Sequence, residues 1–555
     1  MERKKVEVVK KLTGLLRPFR GKIVTILLCL ICTAFLNLLI PLCTESLMDR
    51  GFLNNNFHVV VNVSLILLTI QFINILLGTI KEKIRISIEK DIISNLSEQA
   101  YQHLLKLKIN YFDNKNSAEI LQNTLTDTMK IGSIASPQLF LAVTQILNFI
   151  GGIIGLLLIS WKLSFLVLLF IPLKYIAVCF FAKQRLKATE NYIDSYGDYA
   201  KWYGNVLAGM REIRTLDLSK KKYAEFKRKC NEFLENRRKM MWLDTIDGNI
   251  NTLLVQILIA AIYIYGANEV FNFQISVGGF FAFISFSGYV TDPIALFMGI
   301  FYSFSDIIPS SKRYFEFLDL EEEDNRGGWL NEDIEKIEFE NVNFCYKSNE
   351  EILENVSFVI NKGDRIAIIG ENGVGKTTIL LLLLRFYEPN CGRILINGKD
   401  IRNYMITSYR KKISVVSQRV YLFNDTLRNN ICLGENLEKA QLYDILRKSN
   451  LTEFCDENKL DNLVGENGIM LSGGQVQKIA LARTLAQNRE ILIFDEVTSN
   501  MDKISQENVS ELIRSKKKQN IIIWVTHDPE FLKLADKIIV VENKRLVVKN
   551  NKERR

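Results

Sequence analysis

The residues from Gly370 to Thr377 form a glycine-rich turn whose composition suits phosphate binding. The turn reads Gly-Glu-Asn-Gly-Val-Gly-Lys-Thr, follows the apolar strand-like stretch Ile366–Ile369, and opens an apolar helix-like stretch. Glycines let backbone N–H groups close around phosphates, while a lysine reaches their oxygens and a hydroxyl can ligate Mg²⁺. The spacing therefore predicts a nucleotide-binding loop with Lys376 on the phosphates and Thr377 on Mg²⁺.

A second turn suited to anion binding lies at Leu471–Gln475. It reads Leu-Ser-Gly-Gly-Gln and precedes a helical pattern that starts at Val476, so backbone donors and a positive helix end could face an anion. One ATP does not need two such turns from one chain unless they face different nucleotides. The apolar strand Ile491–Phe494 then ends in two carboxylates. Three motifs in this order argue against an ordinary glycine-rich loop.

In this order the three motifs resemble those of the ABC transporter family. In that family, two nucleotide-binding domains enclose two ATP molecules head to tail. The phosphate loop of one subunit and the Leu-Ser-Gly-Gly-Gln run of the other meet across each ATP. The resemblance implies ATP and Mg as cofactors and a second nucleotide-binding domain as a partner.

The remaining motifs of the family match single residues. The resemblance assigns Tyr346 to adenine stacking, Gln418 to Mg²⁺ and the attacking water, and His527 to the γ-phosphate. Asp495 would hold Mg²⁺, and Glu496 would polarise the attacking water. The alternative interpretations are an edge-strand tyrosine, a polar strand end and a structural histidine.

The predicted site thus has three groups of residues. The catalytic group is Glu496, His527 and Gln418. The metal ligands are Thr377, Gln418 and Asp495. The nucleotide-binding group is Tyr346, Gly370, Glu371, Asn372, Gly373, Val374, Gly375, Lys376, Thr377, Thr378, Ser472, Gly473, Gly474, Gln475 and Asp502. One departure precedes Asp502, because the chain has Ser-Asn-Met-Asp at 499–502 where the family commonly has Ser-Ala-Leu-Asp.

Length and composition indicate more than one domain. The 555 residues are 48% hydrophobic and 24% charged, and the apolar residues are concentrated before about residue 310. Six apolar stretches there can each cross about 30 Å of hydrocarbon as a helix. They lie at about residues 23–43, 59–80, 136–161, 163–182, 252–273 and 277–307. We predict a membrane all-α six-helix exporter domain at 1–320, a linker at 321–333 and an α/β P-loop ATPase domain at 334–555.

Charge placement predicts the orientation in the membrane. Lysine and arginine are abundant in the N-terminal segment and in the connections at about 81–135 and 183–250, and scarce in the other connections. The positive-inside rule therefore places the N-terminus in the cytoplasm. The net charge of +9 is then juxtamembrane, where it favours anionic lipid, and no nucleic acid partner is expected. The first apolar run lacks a signal-cleavage pattern, and the nine scattered cysteines imply no disulfide framework.

Two of the long connections resemble those of exporters within the ABC transporter family. Tyr111–Asp113, with Asp127 further on, is similar to the first intracellular loop of exporter-type ABC proteins, and Asn205–Arg214 is similar to the second. Val464–Gly468 resembles a segment characteristic of exporters. In the family these loops end in short coupling helices that dock on the nucleotide-binding domains. A charged, solvated helix remains the alternative for either stretch.

The sequence therefore predicts a bacterial half-transporter, a multi-pass protein of the cell membrane that hydrolyses ATP. It would export an amphipathic substrate such as a small peptide, and the alternative is a multidrug or lipid exporter. An ATP-gated channel or regulator is the alternative of another class. We expect a homodimer, with a paralogous half-transporter as the other possible partner. Lys174 and Asp292 stand near mid-depth of their spans, as a structural pair, with Lys174 reaching toward the cytoplasm, or with Asp292 in a cavity that attracts cations.

Overall fold

The computed structural model describes residues 10–113, 115, 117–346, 350–418, 420–465, 468–497, 503–515 and 519–551. The chain divides into two compact units. The membrane unit comprises Met1–Leu104 and Ser117–Leu320, and the nucleotide unit comprises Leu105–Asn116 and Glu321–Arg555. The short segment 105–116 thus packs with the nucleotide unit, although the sequence stretches on both sides of it belong to the membrane unit.

The membrane unit is built of helices. These are α1 (Arg20–Ser46), α2 (Phe57–Leu104), α4 (Ser117–Gly132), α5 (Pro137–Ile159), α6 (Trp161–Ala208), α7 (Met210–Thr215), α8 (Ser219–Phe271), α9 (Val277–Thr291) and α10 (Pro293–Leu318). Helix α3 (Asn110–Asp113) lies in the segment that packs with the nucleotide unit. The predicted long helical connections are therefore continuous with the apolar helices.

Among the described residues, five helical stretches are long and apolar enough to cross a membrane. They are Lys10–Phe52, Phe57–Leu104, Thr124–Ile159, Trp161–Ala208 and Ser219–Phe271, and the shorter apolar helix Val277–Thr291 follows them. A helix of 48 residues such as α2 is about 72 Å long, far more than the hydrocarbon thickness, so its polar end extends beyond the bilayer. The sixth predicted stretch is divided at Asp292 into α9 and α10.

The nucleotide unit contains two sheets. The strands are β1 (Lys336–Cys345), β2 (Glu351–Asn361), β3 (Arg365–Gly370), β4 (Cys391–Ile396), β5 (Lys399–Asp400), β6 (Ile413–Val416), β7 (Ile491–Asp495), β8 (Ile521–Val525), β9 (Lys537–Glu542) and β10 (Arg545–Asn550). The smaller sheet is antiparallel and has the order β2-β1-β4-β5. The larger sheet has the order β10-β9-β3-β8-β7-β6, and its strands are parallel except β10 at the edge.

Helices connect several of these strands. They are α11 (Lys376–Leu383), α12 (Ile406–Arg410), α13 (Leu427–Cys432), α14 (Lys439–Lys448), α15 (Glu457–Leu460), α16 (Gly473–Gln487), α17 (Lys503–Ser515) and α18 (Pro529–Leu532). The central strands are apolar on both faces, as buried parallel strands should be, and every residue of β8 is buried. A helical membrane domain joined to an α/β P-loop domain confirms the predicted fold class.

Candidate functional site

The order of the large sheet brings together residues that are far apart in sequence. Strands β3, β8, β7 and β6 are consecutive neighbours and run parallel, so their carboxyl ends meet at one edge. The phosphate loop follows β3, Gln418 follows β6, Glu496 follows β7 and His527 follows β8. Ligands of open α/β sheets bind at this edge. All four predicted elements of the site therefore lie on the side where a nucleotide is expected.

The phosphate loop holds its lysine in a fixed position. Gly373 and Gly375 have φ of +81° and +109°, a region that residues with a Cβ rarely adopt. Lys376 is buried, and its ammonium donates to the carbonyl oxygens of Gly370 at 2.7 Å and Glu371 at 3.0 Å. Helix α11 begins at Lys376, so the open backbone N–H groups of its first turn point into the loop. This arrangement suits the phosphates of ATP.

Two oxygen groups beside the loop suit a magnesium ion. The Thr377 hydroxyl lies near enough to the Asp495 carboxylate to interact with it. Burial raises the pKa of Asp495, and the charge of Glu496 raises it further, while Lys376 and Thr377 act in the opposite direction. Hydroxyl and carboxylate oxygens are ligands that Mg²⁺ prefers, and a divalent cation would relieve the repulsion between the two carboxylates. Thr377 and Asp495 would therefore hold the ion.

Glu496 stands at the centre of a chain of polar contacts. The amide of Gln418 donates to Oε2 of Glu496 at 2.6 Å, and Oε1 lies 3.9 Å from Nε2 of His527. Glu496 has a φ of +50°, and its N–H donates to the carbonyl oxygen of Val525 at 3.2 Å. Residues held in such sparsely populated backbone conformations concentrate at functional sites. The backbone thus aims a carboxylate at the space between Gln418 and His527.

His527 links this carboxylate to the phosphate loop. The ammonium of Lys376 donates to Nε2 of His527 at 3.1 Å. The side chain of His527 is 55% exposed, so its ring remains accessible to a bound ligand. Contacts therefore run from Gln418 through Glu496 and His527 to Lys376. A water molecule beside Glu496 could lose a proton to the carboxylate close to the terminal phosphate.

Tyr346 lies beside the start of α11. Its hydroxyl is 3.1 Å from the hydroxyl of Thr378, and its ring meets Phe344 and Tyr387 edge to face. The side chain is 47% exposed, which leaves ring surface for a base to stack on. This placement suits the adenine role that the family resemblance gives Tyr346.

The Leu-Ser-Gly-Gly-Gln run forms the start of α16. The Ser472 hydroxyl accepts from the N–H of Gln475 at 3.3 Å, and the Gln475 amide oxygen accepts from the N–H of Ser472 at 2.9 Å. This reciprocal capping box orders the first turn. Ser472 and Gly473 are exposed, and the helix packs on a core separate from the one below the phosphate loop. The turn is therefore ordered and open to a ligand.

Not every predicted residue lies in the described part of the chain. Asp502 falls outside the described residues, as does the departure that precedes it. Glu371, Asn372, Val374 and Gly474 lie in the two turns described above. No motif pointed to Glu453, whose carboxylate accepts a hydrogen bond from the Gln475 amide at 2.8 Å and orients the capping residue.

A second contact absent from the predictions lies near Tyr346. The hydroxyl of Tyr387 donates to the Asp113 carboxylate of α3 within the nucleotide unit. Burial raises the pKa of Tyr387 and Asp113 adds to the shift, so this phenol stays a neutral donor. The backbone of the same segment also pairs with the predicted linker, because Leu107 and Glu322 form an antiparallel β-bridge. Asp113 is thus held beside the ring that contacts Tyr346.

Comparison with known proteins identifies two family matches that together cover most of the chain. Residues 23–294 match the family described as the ABC transporter transmembrane region, and residues 353–499 match the family described as ABC transporter. The chain is 28% identical over 558 residues to an ATP-dependent lipid A-core flippase of Haemophilus ducreyi, covering 99% of this chain and 95% of that protein. It is 29% identical over 508 residues to a protein of the same name in Legionella pneumophila strain Paris, covering 91% and 86% of the two chains.

The fold also matches a solved structure. A bacterial Atm1-family ABC exporter with ATP bound superposes with a TM-score of 0.82 and covers 96% of each chain at 22% identity. Both units therefore have the fold of an exporter.

Proposed function

The chain belongs to the ABC transporter family, and on that premise we propose that it is an exporter-type half-transporter that moves a lipid-like amphipathic substrate across the membrane. It is an ATP hydrolase coupled to transport. The observation that supports the site assignment is the run of contacts from Gln418 through Glu496 and His527 to Lys376. We propose domain limits of 1–320 and 334–555 with a linker between them.

Each residue of the site would have its own role in ATP binding and hydrolysis. Lys376 and the loop N–H groups would bind the phosphates, and Thr377 and Asp495 would hold Mg²⁺, which supplies charge neutralisation when bound. Glu496 would orient and deprotonate the attacking water. His527 would contact the γ-phosphate from the side of Lys376. Tyr346 would stack on adenine.

The relatives favour a lipid substrate over a peptide. Similar proteins that cover most of this chain are named ATP-dependent lipid A-core flippases. The sequence analysis predicts an amphipathic substrate such as a small peptide, with a multidrug or lipid exporter as the alternative. The comparisons give the peptide no support, and we therefore propose the lipid alternative.

An ATP-gated channel or regulator would use ATP chiefly as a ligand. Such a protein could lose its hydrolytic residues, whereas here Glu496 contacts Gln418 and lies near His527. This observation favours hydrolysis coupled to transport. Movement of substrate against its gradient is the measurement that separates the two classes.

We propose that two copies of the chain form the working transporter. The exposed Ser472 and Gly473 would face the ATP held by the phosphate loop of the other copy, as in the family. The intact phosphate loop, signature turn and carboxylates favour a homodimer over a pair with a paralogue. The relatives and the apolar helices support a bacterial inner membrane, and the charge distribution supports a cytoplasmic nucleotide unit.

The test uses the purified full chain in proteoliposomes. We expect ATP to drive translocation of a fluorescent phospholipid between leaflets, and Lys376→Ala to abolish it by weakening ATP binding. Glu530→Gln, which removes an exposed carboxylate of the same domain, is the matched control and should leave translocation unchanged. Lipid movement that is equally fast without ATP, or in Lys376→Ala, would contradict the proposal. A purified chain that is an inactive monomer would contradict the homodimer.

A further inference from the structure

The side-chain amide of Gln475 has a different partner at each of its two ends. Its oxygen accepts from the N–H of Ser472 at 2.9 Å, and its nitrogen donates to Oε1 of Glu453 at 2.8 Å. An amide can turn over and exchange its oxygen and nitrogen, so its orientation depends on the groups that face it. A carboxylate only accepts hydrogen bonds, and Glu453 therefore requires the nitrogen end. The oxygen end is thereby kept on Ser472.

Packing holds Glu453 beside the signature turn, Leu471–Gln475. The residue lies in a 3₁₀ turn, and the ammonium of Lys459 donates to its backbone carbonyl oxygen at 3.0 Å. Leu451, which precedes this turn, is fully buried in an apolar core. Leu471 and Val476, at the two ends of the signature turn, pack against the same core. Because one core supports both turns, the carboxylate keeps its position relative to the start of α16.

The orientation of the amide determines what the signature turn offers to a ligand. The Ser472 hydroxyl oxygen accepts from the N–H of Gln475 at 3.3 Å, and the hydroxyl proton has no acceptor among the described residues. Ser472 and Gly473 are exposed, and a Cβ added at Gly473 would meet nothing within 4 Å. If the amide turned over, its NH₂ group would face the N–H of Ser472 and the capping box would open. The closed box thus presents a hydroxyl proton and backbone N–H groups to open space.

Glu453 has a second effect on α16 that must be separated from this one. A carboxylate beside the start of a helix also stabilises the helix through its dipole. That effect depends on the negative charge, whereas the orienting effect depends only on a hydrogen-bond acceptor. Glu453→Gln keeps an acceptor oxygen and removes the charge, so it distinguishes the two effects.

We propose that Glu453 is a positioning residue for ATP hydrolysis, which sets the Gln475 amide and so holds Ser472 and Gly473 in the geometry that contacts the ATP bound by the other copy. The inference rests on the proposed function, because it concerns the signature turn of the homodimer. Glu453 acts through Gln475 and not on the nucleotide itself. Its removal should therefore loosen the signature turn and leave the phosphate loop intact, because the lysine of that loop is held by carbonyl oxygens of the loop itself.

The first experiment measures hydrogen exchange at the start of α16 in the full chain in nanodiscs, without nucleotide. The N–H groups of Ser472 and Gln475 are the two donors of the capping box, so their exchange reports whether the box is closed. We expect Glu453→Ala to speed their exchange by about three- to tenfold, the scale of losing one net hydrogen bond. Glu453→Gln should change it by less than about twofold. Exchange in the phosphate loop should be the same in both variants and the parent.

The second experiment measures ATP turnover and ATP affinity on the same samples. We expect Glu453→Ala to lower turnover by about three- to tenfold and to leave ATP affinity within about twofold of the parent, because the phosphate loop is unchanged. Glu453→Gln should retain most of the turnover. Asp461→Ala is the matched control, since it removes a nearby exposed carboxylate that pairs with Arg428 and does not contact the signature turn. It should leave both exchange and turnover within about twofold of the parent.

Exchanging the two side chains gives a rescue test. Gln475→Glu places a second carboxylate against that of Glu453, and two like charges at hydrogen-bond distance repel, so turnover should fall. Combining it with Glu453→Gln restores one donor and one acceptor in the reverse order, and a glutamate at the third helical position still closes a capping box. The double variant should therefore recover turnover to within about threefold of the parent. A residue that acts only through its charge would give no recovery.

Several results would overturn the inference. They are parent-like exchange or parent-like turnover in Glu453→Ala, an equal loss in Asp461→Ala, or a double variant no more active than Gln475→Glu. A parent chain that does not hydrolyse ATP would contradict the proposed function instead. Because hydrogen exchange is measured without nucleotide, it would still test the positioning of the signature turn. A failure of the proposed function can therefore be distinguished from a failure of this inference.

Discussion

Replacing Glu496 by glutamine should separate ATP binding from ATP hydrolysis. The substitution keeps the shape of the side chain, and the glutamine oxygen can still accept the hydrogen bond that Gln418 donates at 2.6 Å. The groups that would bind phosphates, Lys376 and the loop N–H groups, are held by Gly370 and Glu371 and do not depend on the carboxylate. Turnover should therefore fall while ATP affinity is retained.

The magnitude follows from the lost proton acceptor. A positioned general base contributes about 10²- to 10⁴-fold, so we expect turnover to fall by about 100-fold or more. This equals about 2.7 kcal/mol in activation free energy. The charge of Glu496 also raises the pKa of Asp495, and its removal makes that carboxylate a better metal ligand. ATP affinity in the presence of Mg²⁺ should accordingly be equal to or higher than that of the parent.

The assay is phosphate release by the purified chain in nanodiscs, with ATP affinity measured by calorimetry on the same samples. Glu530→Gln makes the same chemical change at a side chain that is 75% exposed, and it should leave both quantities unchanged. A turnover within about threefold of the parent would be too small a loss for a general base, and would remove Glu496 from that role. An equal loss of ATP affinity would show that the carboxylate acts in binding instead.

Two further predictions concern stability. Burial raises the pKa of Asp495, so the folded state binds its proton more tightly than the unfolded state, and the free energy of unfolding rises as pH falls through that pKa. Asp495→Asn should therefore melt above the parent at pH 8 without nucleotide or Mg²⁺, and a difference that grows on acidification would contradict this sign. Gly392→Ala should lower the free energy of unfolding by about 2 kcal/mol or more, because φ is +81° and the new Cβ would lie 2.3 Å from the Asn341 carbonyl oxygen. Gly398→Ala has a φ of +78° but meets nothing within 4 Å, so thermal melting should show a loss of only about 1 kcal/mol.

Local features of the sequence were sufficient to predict the phosphate loop and the membrane helices of this protein. The phosphate loop depends on glycines at fixed spacing between a strand and a helix, and this spacing is visible without any tertiary contact. The membrane helices follow from the length of apolar stretches, because a bilayer leaves the backbone few other ways to satisfy its hydrogen bonds. The family resemblance, which the comparisons confirm, supplied the remaining candidate residues.

The association of distant residues was decided by the tertiary structure. Gln418, Glu496 and His527 meet because β6, β7 and β8 are neighbours in a parallel sheet, and strand order is not encoded in any short motif. The segment 105–116 packs with the nucleotide unit through pairings with residues far along the chain.

The structure of the sixth span depends both on its local sequence and on its tertiary contacts. Asp292 and Pro293 are visible in the sequence, but we predicted one continuous span at about 277–307 and not its division into two helices. The division follows from the proline, which lacks the N–H that would continue the helix. The contact of Lys174 with the backbone at this division depended on how α6 packs against the sixth span. The structure buries Lys174 on the carbonyl of Thr291 and leaves Asp292 exposed, because an ammonium inside a span needs an acceptor that only packing can bring to it.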